Sequence, residues 1–135
     1  SRGLGDVYKR QTTHSIFLPK DILIDDIQLC TLIGNLFDNA IEACMKIKEP
    51  DKRYIDFQIK PFNCMMSIYM ENSCIGDYVI DKNGKLKTSK QTNIINHGIG
   101  LKRIEEIVER ANGFVTLNPS NDKFEVIIQL PTEEH

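Results

Sequence analysis

The chain has 135 residues, of which 41% are hydrophobic and 27% charged, with a formal net charge of −2. These values describe one soluble globular domain with a single core and exclude a disordered or strongly basic chain, so no nucleic-acid partner is expected. No apolar run approaches the roughly 20 residues needed to cross a bilayer, and the amino terminus lacks the order of a signal peptide, so a cytoplasmic setting with no membrane contact by these residues is expected. Cys30, Cys44, Cys64 and Cys74 stand at wide spacings with no C-x-x-C pair, which predicts reduced thiols rather than a zinc site or a disulfide framework.

Ser1 to Gln11 carry little periodicity and read as a tail outside the domain, which is taken as residues 12–135. Ser15 to Leu18 form a short strand candidate closed by Pro19. Asp25 and Asp26 cap and charge the start of a long helix running to about Ile47, with Pro50 beyond it. Tyr54 to Pro61 and Met65 to Glu71 read as a hairpin of two strands. Cys74 to His97 lose apolar periodicity and fill with Lys, Asn, Thr and Gly, a length of loop that is usually functional. A second helix is predicted from Gly98 to about Ala111, stopped by Asn112-Gly113. Phe114 to Leu117 and Phe124 to Leu130 then pair around the turn Pro119 to Asp122. This order predicts an α/β (α+β) two-layer sandwich: a mixed, mostly antiparallel sheet with both helices on one face.

The first helix has an unusual polar side. A turn of about 100° per residue puts Gln28, Thr31, Asn35, Asp38, Asn39, Glu42 and Lys46 in one stripe. Ile33, Phe37, Ala40, Cys44 and Ile47 lie opposite, with Leu32, Leu36 and Ala43 flanking the stripe. A merely solvated side would favour Lys, Glu and Arg, whereas Asn and Asp are poor helix formers. Two amides and two carboxylates over two turns suit a magnesium ion held through oxygen, with nucleotide phosphates completing its shell. The run Asn35-Leu36-Phe37-Asp38-Asn39-Ala40-Ile41-Glu42-Ala43 resembles the N box of the GHKL (Bergerat-fold) superfamily, which includes gyrase-type ATPases and the histidine kinases. Its Asp-Asn-Ala-Ile-Glu-Ala wording is similar to the bacterial quorum-sensing kinases that respond to peptide pheromones, the accessory-gene-regulator and competence type. The resemblance implies that Asn39 coordinates magnesium and that Asn35 lies near the phosphates. Gyrase-like hydrolases carry a glutamate base four residues before the magnesium asparagine; here that residue is Asn35, and an amide takes up no proton at neutral pH, which favours phosphoryl transfer over hydrolysis. Asp38 and Glu42 remain as candidate bases or supporting groups.

Gly98-Ile99-Gly100-Leu101 is expected at the head of the second helix, where unpaired N–H groups and the helix dipole suit phosphate. With His97 before it, this stretch resembles the family's G2 box. The preceding loop then reads as the ATP lid, and Lys87-Thr88-Ser89-Lys90 resembles an element of the pheromone-kinase subfamily that implies Lys90 beside the γ-phosphate. The pattern breaks at Met70-Glu71-Asn72-Ser73-Cys74-Ile75-Gly76, where the superfamily carries Asp-x-Gly-x-Gly, its aspartate accepting from the adenine amine. Either Glu71 or Asn72 offers the acceptor oxygen, with Asn72 preferred; Asn72 also offers a donor that a ring nitrogen could use. Weak nucleotide affinity is expected from this departure.

The resemblance implies the ATP-binding catalytic domain of a two-component sensor histidine kinase with ATP and Mg as cofactors, acting in signal transduction as a transferase. Its γ-phosphoryl group would pass to a histidine on a separate dimerisation domain and, indirectly, to a response regulator. Of His14, His97 and His135, none sits in a helix-length dimerisation pattern, so the domain is expected to be monomeric in isolation and inactive as a complete kinase. The competing expectations are a non-catalytic nucleotide-binding module of the pseudokinase kind and a GHL-type ATPase.

Overall fold

The computed structural model describes residues 14–16, 24–77, 79–80, 86–87 and 95–132. The proposed tail, Ser1 to Gln11, lies outside them. In chain order the elements are β1 (His14–Ile16), α1 (Asp26–Met45), a 3-10 turn (Pro50–Lys52), β2 (Ile55–Phe62), β3 (Met65–Ser73), β4 (Val79–Ile80), β5 (Leu86–Lys87), α2 (Ile95–Arg110), β6 (Phe114–Pro119) and β7 (Lys123–Pro131). The main sheet runs β1-β2-β3-β7-β6, and β4 with β5 forms a separate two-stranded ribbon within the segment expected to be all loop. Only β1 against β2 is parallel; β2 with β3, β3 with β7 and β7 with β6 are antiparallel. The expected mixed, mostly antiparallel sheet is therefore present.

Local chemistry accounts for the element ends. Asp25 caps α1, its Oδ1 accepting from Gln28 N at 2.7 Å and satisfying one of the donors that a helix start leaves unpaired. α2 ends in a Schellman-type closure: Gly113 N donates to Val108 O at 2.9 Å and Asn112 takes the left-handed conformation at φ 60. Both boundaries follow the residues that the sequence marks for them.

The strands alternate cleanly. Ile55, Phe57 and Ile59 on β2, Met66, Ile68 and Met70 on β3, and Val126, Ile128 and Leu130 on β7 are buried in one cluster with Leu32, Leu36, Ala40 and Cys44 of α1 and Ile104, Ile107, Val108 and Ala111 near α2. Register places these strand residues on the same face, with Phe57 opposite Met70 and Met70 opposite Val126. Both helices cover that face, while Asp56, Gln58, Tyr69, Glu71, Glu125 and Ile127 occupy the other.

Three expectations change. The centre of the buried side of α1 is the row Leu32, Leu36, Ala40 and Cys44, whereas Ile33, Phe37 and Ala43 are half-buried. The helix is thus rotated so that its Asn stripe borders the core rather than pointing straight out. β3 continues to Ser73 rather than ending at Glu71, so Asn72 and Ser73 lie in the strand as well. α2 begins at Ile95 rather than Gly98, which moves the glycine pair inside the helix. Cys30, Cys44, Cys64 and Cys74 are all outside disulfides, and no helix among the described residues is long and apolar enough to cross a membrane.

Candidate functional site

The space between α1 and α2 carries two of the three buried side-chain polar atoms that lack a partner among the described residues. Asn35 Nδ2 and Asn39 Nδ2 are buried without a hydrogen-bond partner among the described residues. An unpaired buried amide N–H costs about 1–3 kcal/mol, so two on one helix side are a feature that calls for an acceptor beyond the described residues. Gly100 of α2 meets the same side chain: a Cβ added there would stand 3.0 Å from Asn39 Oδ1 and 3.2 Å from Nδ2. The glycine is therefore needed for the approach of the two helices at Asn39, a role inside α2 rather than at its head.

The remaining members of the stripe are placed as follows. Asp38 is exposed and Glu42 half-buried on the same side of α1. Lys46 at the helix end pairs with Asp77 at 2.7 Å, an exposed contact that ties α1 to the segment after β3. His97, Gly98 and Ile99 fall within the first turns of α2 by backbone, and Leu101 is half-buried among the residues packed on the core. Lys90 lies outside the described residues, as do Thr88 and Ser89.

At the end of β3 the structure separates the two acceptor candidates. Glu71 belongs to the open face and does not join the site between the helices. Its carboxylate accepts from Tyr54 Oη at 2.6 Å and Tyr69 Oη at 2.9 Å, with Lys123 Nζ 4.0 Å away. Burial first, and then the Glu71 carboxylate, push both tyrosine hydroxyls well above their ordinary range. Alternation of side chains along a strand is the reason that neighbours in sequence part company here. Asp56 Oδ1, the third buried unpaired atom among the described residues, is on this open face, where Asp56 stands opposite Glu71 in register.

Asn72 points the other way and is 5% exposed. Its Nδ2 donates to Ser73 O at 2.9 Å. Ser73 in turn is held by Tyr54: Ser73 N donates to Tyr54 O at 3.1 Å, and Tyr54 N donates to Ser73 Oγ at 2.9 Å. Cys44 Sγ, on the last turn of α1, donates to Tyr54 O at 3.3 Å, and burial pushes its thiol pKa up. The link from α1 through Cys44 and Ser73 to Asn72 is invisible in the sequence, because it depends on β3 running two residues further than its pattern suggests. Gly76 then turns the chain at φ 73, where a Cβ would meet Asn121 O at 2.6 Å; both the backbone angle and the space demand glycine.

Two amide side chains with unmet N–H donors, beside a glycine that lets a second helix approach, form a donor set suited to an anion. Their side-chain oxygens equally suit a hard divalent cation. Phosphates with magnesium satisfy both halves of that set, so the residues present fit a magnesium nucleotide.

The chain resembles solved histidine kinases in fold. It matches the histidine kinase domain of the Erythrobacter litoralis EL346 blue-light-activated histidine kinase at 10% identity, covering 78% of this chain and 46% of that one with a TM-score of 0.56. It matches the Acinetobacter baumannii histidine kinase AdeS at 12% identity, covering 98% and 60% with a TM-score of 0.62. Full-length ShkA, solved in complex with AMPPNP, matches at 12% identity, covering 97% of this chain and 28% of that one with a TM-score of 0.62. The chain thus spans about half the length of the first two kinases, 46% and 60%. No curated protein sequence gives a significant match. The profile of the GHKL domain family matches residues 24–131, a span that holds both helices, the hairpin and the Asn35, Asn39 and Gly100 meeting point, and on that match the chain belongs to the GHKL domain family.

Proposed function

We propose that this chain is the ATP-binding catalytic domain of a two-component histidine kinase and passes the γ-phosphoryl group of ATP to a histidine on a separate dimerisation domain, from which a response regulator would receive it. The observation that carries this reading is the pair of buried, unpaired donors Asn35 Nδ2 and Asn39 Nδ2, with the Asn39 amide held against Gly100. Phosphate oxygens are strong acceptors and would satisfy those donors. Asn39 is the residue assigned to magnesium and Asn35 to the phosphates. Magnesium, when bound, supplies charge neutralisation for the transferred group.

What the chain's own residues contribute is position and charge. Asn35 has no basic atom, so it orients phosphate without activating water, and transfer to an outside nucleophile is favoured over hydrolysis. Asp38, exposed on the same helix side, is open to a nucleophile arriving from another domain, and Glu42 lies one turn along. Asn72 is assigned to the base, Lys90 and His97 to the phosphates, and Gly98, Ile99, Gly100 and Leu101 to the helix segment facing them. The closeness of the wording around Asn39 to peptide-pheromone kinases supports the same assignment at subfamily level.

Calorimetric titration of Mg-ATP into the folded domain is expected to show magnesium-dependent binding. Adding a histidine-bearing helical hairpin is then expected to yield phosphohistidine that resists base and is lost in acid. Nucleotide binding with no phosphohistidine on any hairpin offered would make the chain a binding module. Steady hydrolysis by the isolated domain would make it an ATPase.

A further inference from the structure

Beyond β3 the chain leaves the sheet and is fastened on two sides. On one side is the turn between β6 and β7: Cys74 N donates to Asp122 O at 3.0 Å, and Gly76 passes so close to that turn that an added Cβ would stand 2.6 Å from Asn121 O. On the other side is α1. Lys46, the residue that closes the helix, donates from Nζ to Asp77 Oδ2 at 2.7 Å. The helix from Asp26 to Met45 contains no lysine or arginine, so its polar stripe ends on a single cation.

The pair is poorly suited to supporting the fold. Its side chains are 35% and 41% exposed, and an ion pair so open to water adds little to stability. Its place in the molecule suits another purpose. Lys46 closes the stripe that carries Asn35 and Asn39, and Asn72 stands two residues before Cys74, so Cys74 to Asp77 bridge from the end of β3 to the end of α1. The charges also act with a definite sign. The carbonyl end of a helix favours a cation and disfavours an anion, so Asp77 is tolerated near the end of α1 because Lys46 neutralises it there.

We infer that Lys46 is a positioning residue of the nucleotide site: by neutralising Asp77 it holds the segment after β3 against the end of α1 and fixes the spacing between the two elements that the nucleotide must touch together. The inference rests on the nucleotide reading above and adds a residue that acts through Asp77 rather than on the base or the phosphates. Spacing matters because a misplacement of about 1 Å at a site built from two elements can cost on the order of a hundredfold. Without Lys46, the Asp77 carboxylate is left at the negative end of the helix and the segment is pushed away. Removing the Asp77 charge as well takes that repulsion away, so the second change partly repairs the first. A lysine that binds phosphate directly gives no such repair.

Calorimetric dissociation constants for Mg-ATP and Mg-ADP in the wild-type chain, Lys46→Ala, Lys46→Arg, Asp77→Asn and the double variant Lys46→Ala, Asp77→Asn test this, with a urea midpoint for each. Lys46→Ala is expected to weaken both nucleotides equally, by about tenfold, and the double variant to bind at least about threefold more tightly than Lys46→Ala alone. Lys46→Arg keeps the cation and should stay within about threefold of the wild type, and all urea midpoints should agree within about 0.3 M. A larger loss for ATP than for ADP overturns the inference by making Lys46 a ligand of the terminal phosphate. Unchanged binding in Lys46→Ala overturns it, as does a double variant no tighter than Lys46→Ala, because the two residues then act apart. A urea midpoint that falls together with affinity overturns it by making the pair a support of the fold. Each of these outcomes leaves wild-type nucleotide binding, and the reading built on it, standing. A folded wild type that binds neither nucleotide overturns that reading and this inference with it.

Discussion

Glu71 and Asn72 are neighbours on β3, yet they belong to opposite sides of the sheet and to different hydrogen-bonding surroundings. On the open side, Glu71 accepts from two tyrosine hydroxyls although Asp56 and Glu125 flank it in register. Like charges opposite one another destabilise a sheet by about 0.2–1 kcal/mol, and hydrogen bonds to a charged group contribute about 1.5–3 kcal/mol each, so the tyrosines win. On the covered side, Asn35 and Asn39 keep buried donors that nothing among the described residues meets. The first arrangement stabilises the fold; the second costs stability and prepares a surface for something else. The comparison teaches that two unmet buried donors set close together, more than residue type, mark a binding cluster, whereas the one unmet atom of the open side, Asp56 Oδ1, is a lone acceptor.

The comparison breaks most visibly at Asn39. Asn39→Ala is expected to weaken Mg-ATP by about a hundredfold in a calorimetric titration while urea unfolding shifts by less than about 1 kcal/mol, because Nδ2 has no partner among the described residues to lose. Glu71→Ala should do the reverse, lowering unfolding free energy by about 2 kcal/mol with nucleotide affinity unchanged within about twofold. The same cluster sets an alkaline limit. The folded pKa values of Tyr54 and Tyr69 are raised above the unfolded value of 10.0, so the stability they contribute is fully present below that pH and is lost as pH rises beyond it; urea midpoints at about pH 9 and pH 11 should differ, and less so in a Tyr54→Phe, Tyr69→Phe double variant.

Smaller effects sharpen the contrast. Gly100→Ala should weaken nucleotide binding about tenfold, since its Cβ would displace an Asn39 side chain that begins only 3.0 Å away. Its stability should barely change, because the displaced group is the end of a side chain. Gly34 lies exposed in the middle of α1 with nothing within 4 Å of a Cβ, and Gly34→Ala should raise the unfolding free energy by about 0.5–1 kcal/mol without touching affinity.

Much of the fold is legible in the residues themselves. Asp25 marks the start of α1 and Asn112-Gly113 the end of α2, and the alternation from Ile55 to Met70 announces two strands of one hairpin. The Asn stripe is equally legible from helix composition, because asparagine is a poor choice for a solvated helix side. The rotation of α1 toward the row Leu32, Leu36 and Ala40 is not visible, since Ile33 and Phe37 make an equally apolar side and only packing against the sheet chooses between them. The start of α2 at Ile95 is missed because glycine at 98 and 100 argues against a helix, and the contact with Asn39 overrides that local preference.

By itself the sequence determined the two helices and the strands of the main sheet, their order and the chemistry of the helix side that carries Asn35 and Asn39, though not β4 and β5, because caps, strand alternation and helix composition act between residues close in the chain. Only the tertiary structure decided that Asn39 meets Gly100, that Glu71 leaves the site while Asn72 stays on its side of the sheet, and that Cys44 and Ser73 stand behind Asn72. Those outcomes turn on how far β3 runs and how α1 is rolled, and both are settled by contacts between residues distant in sequence.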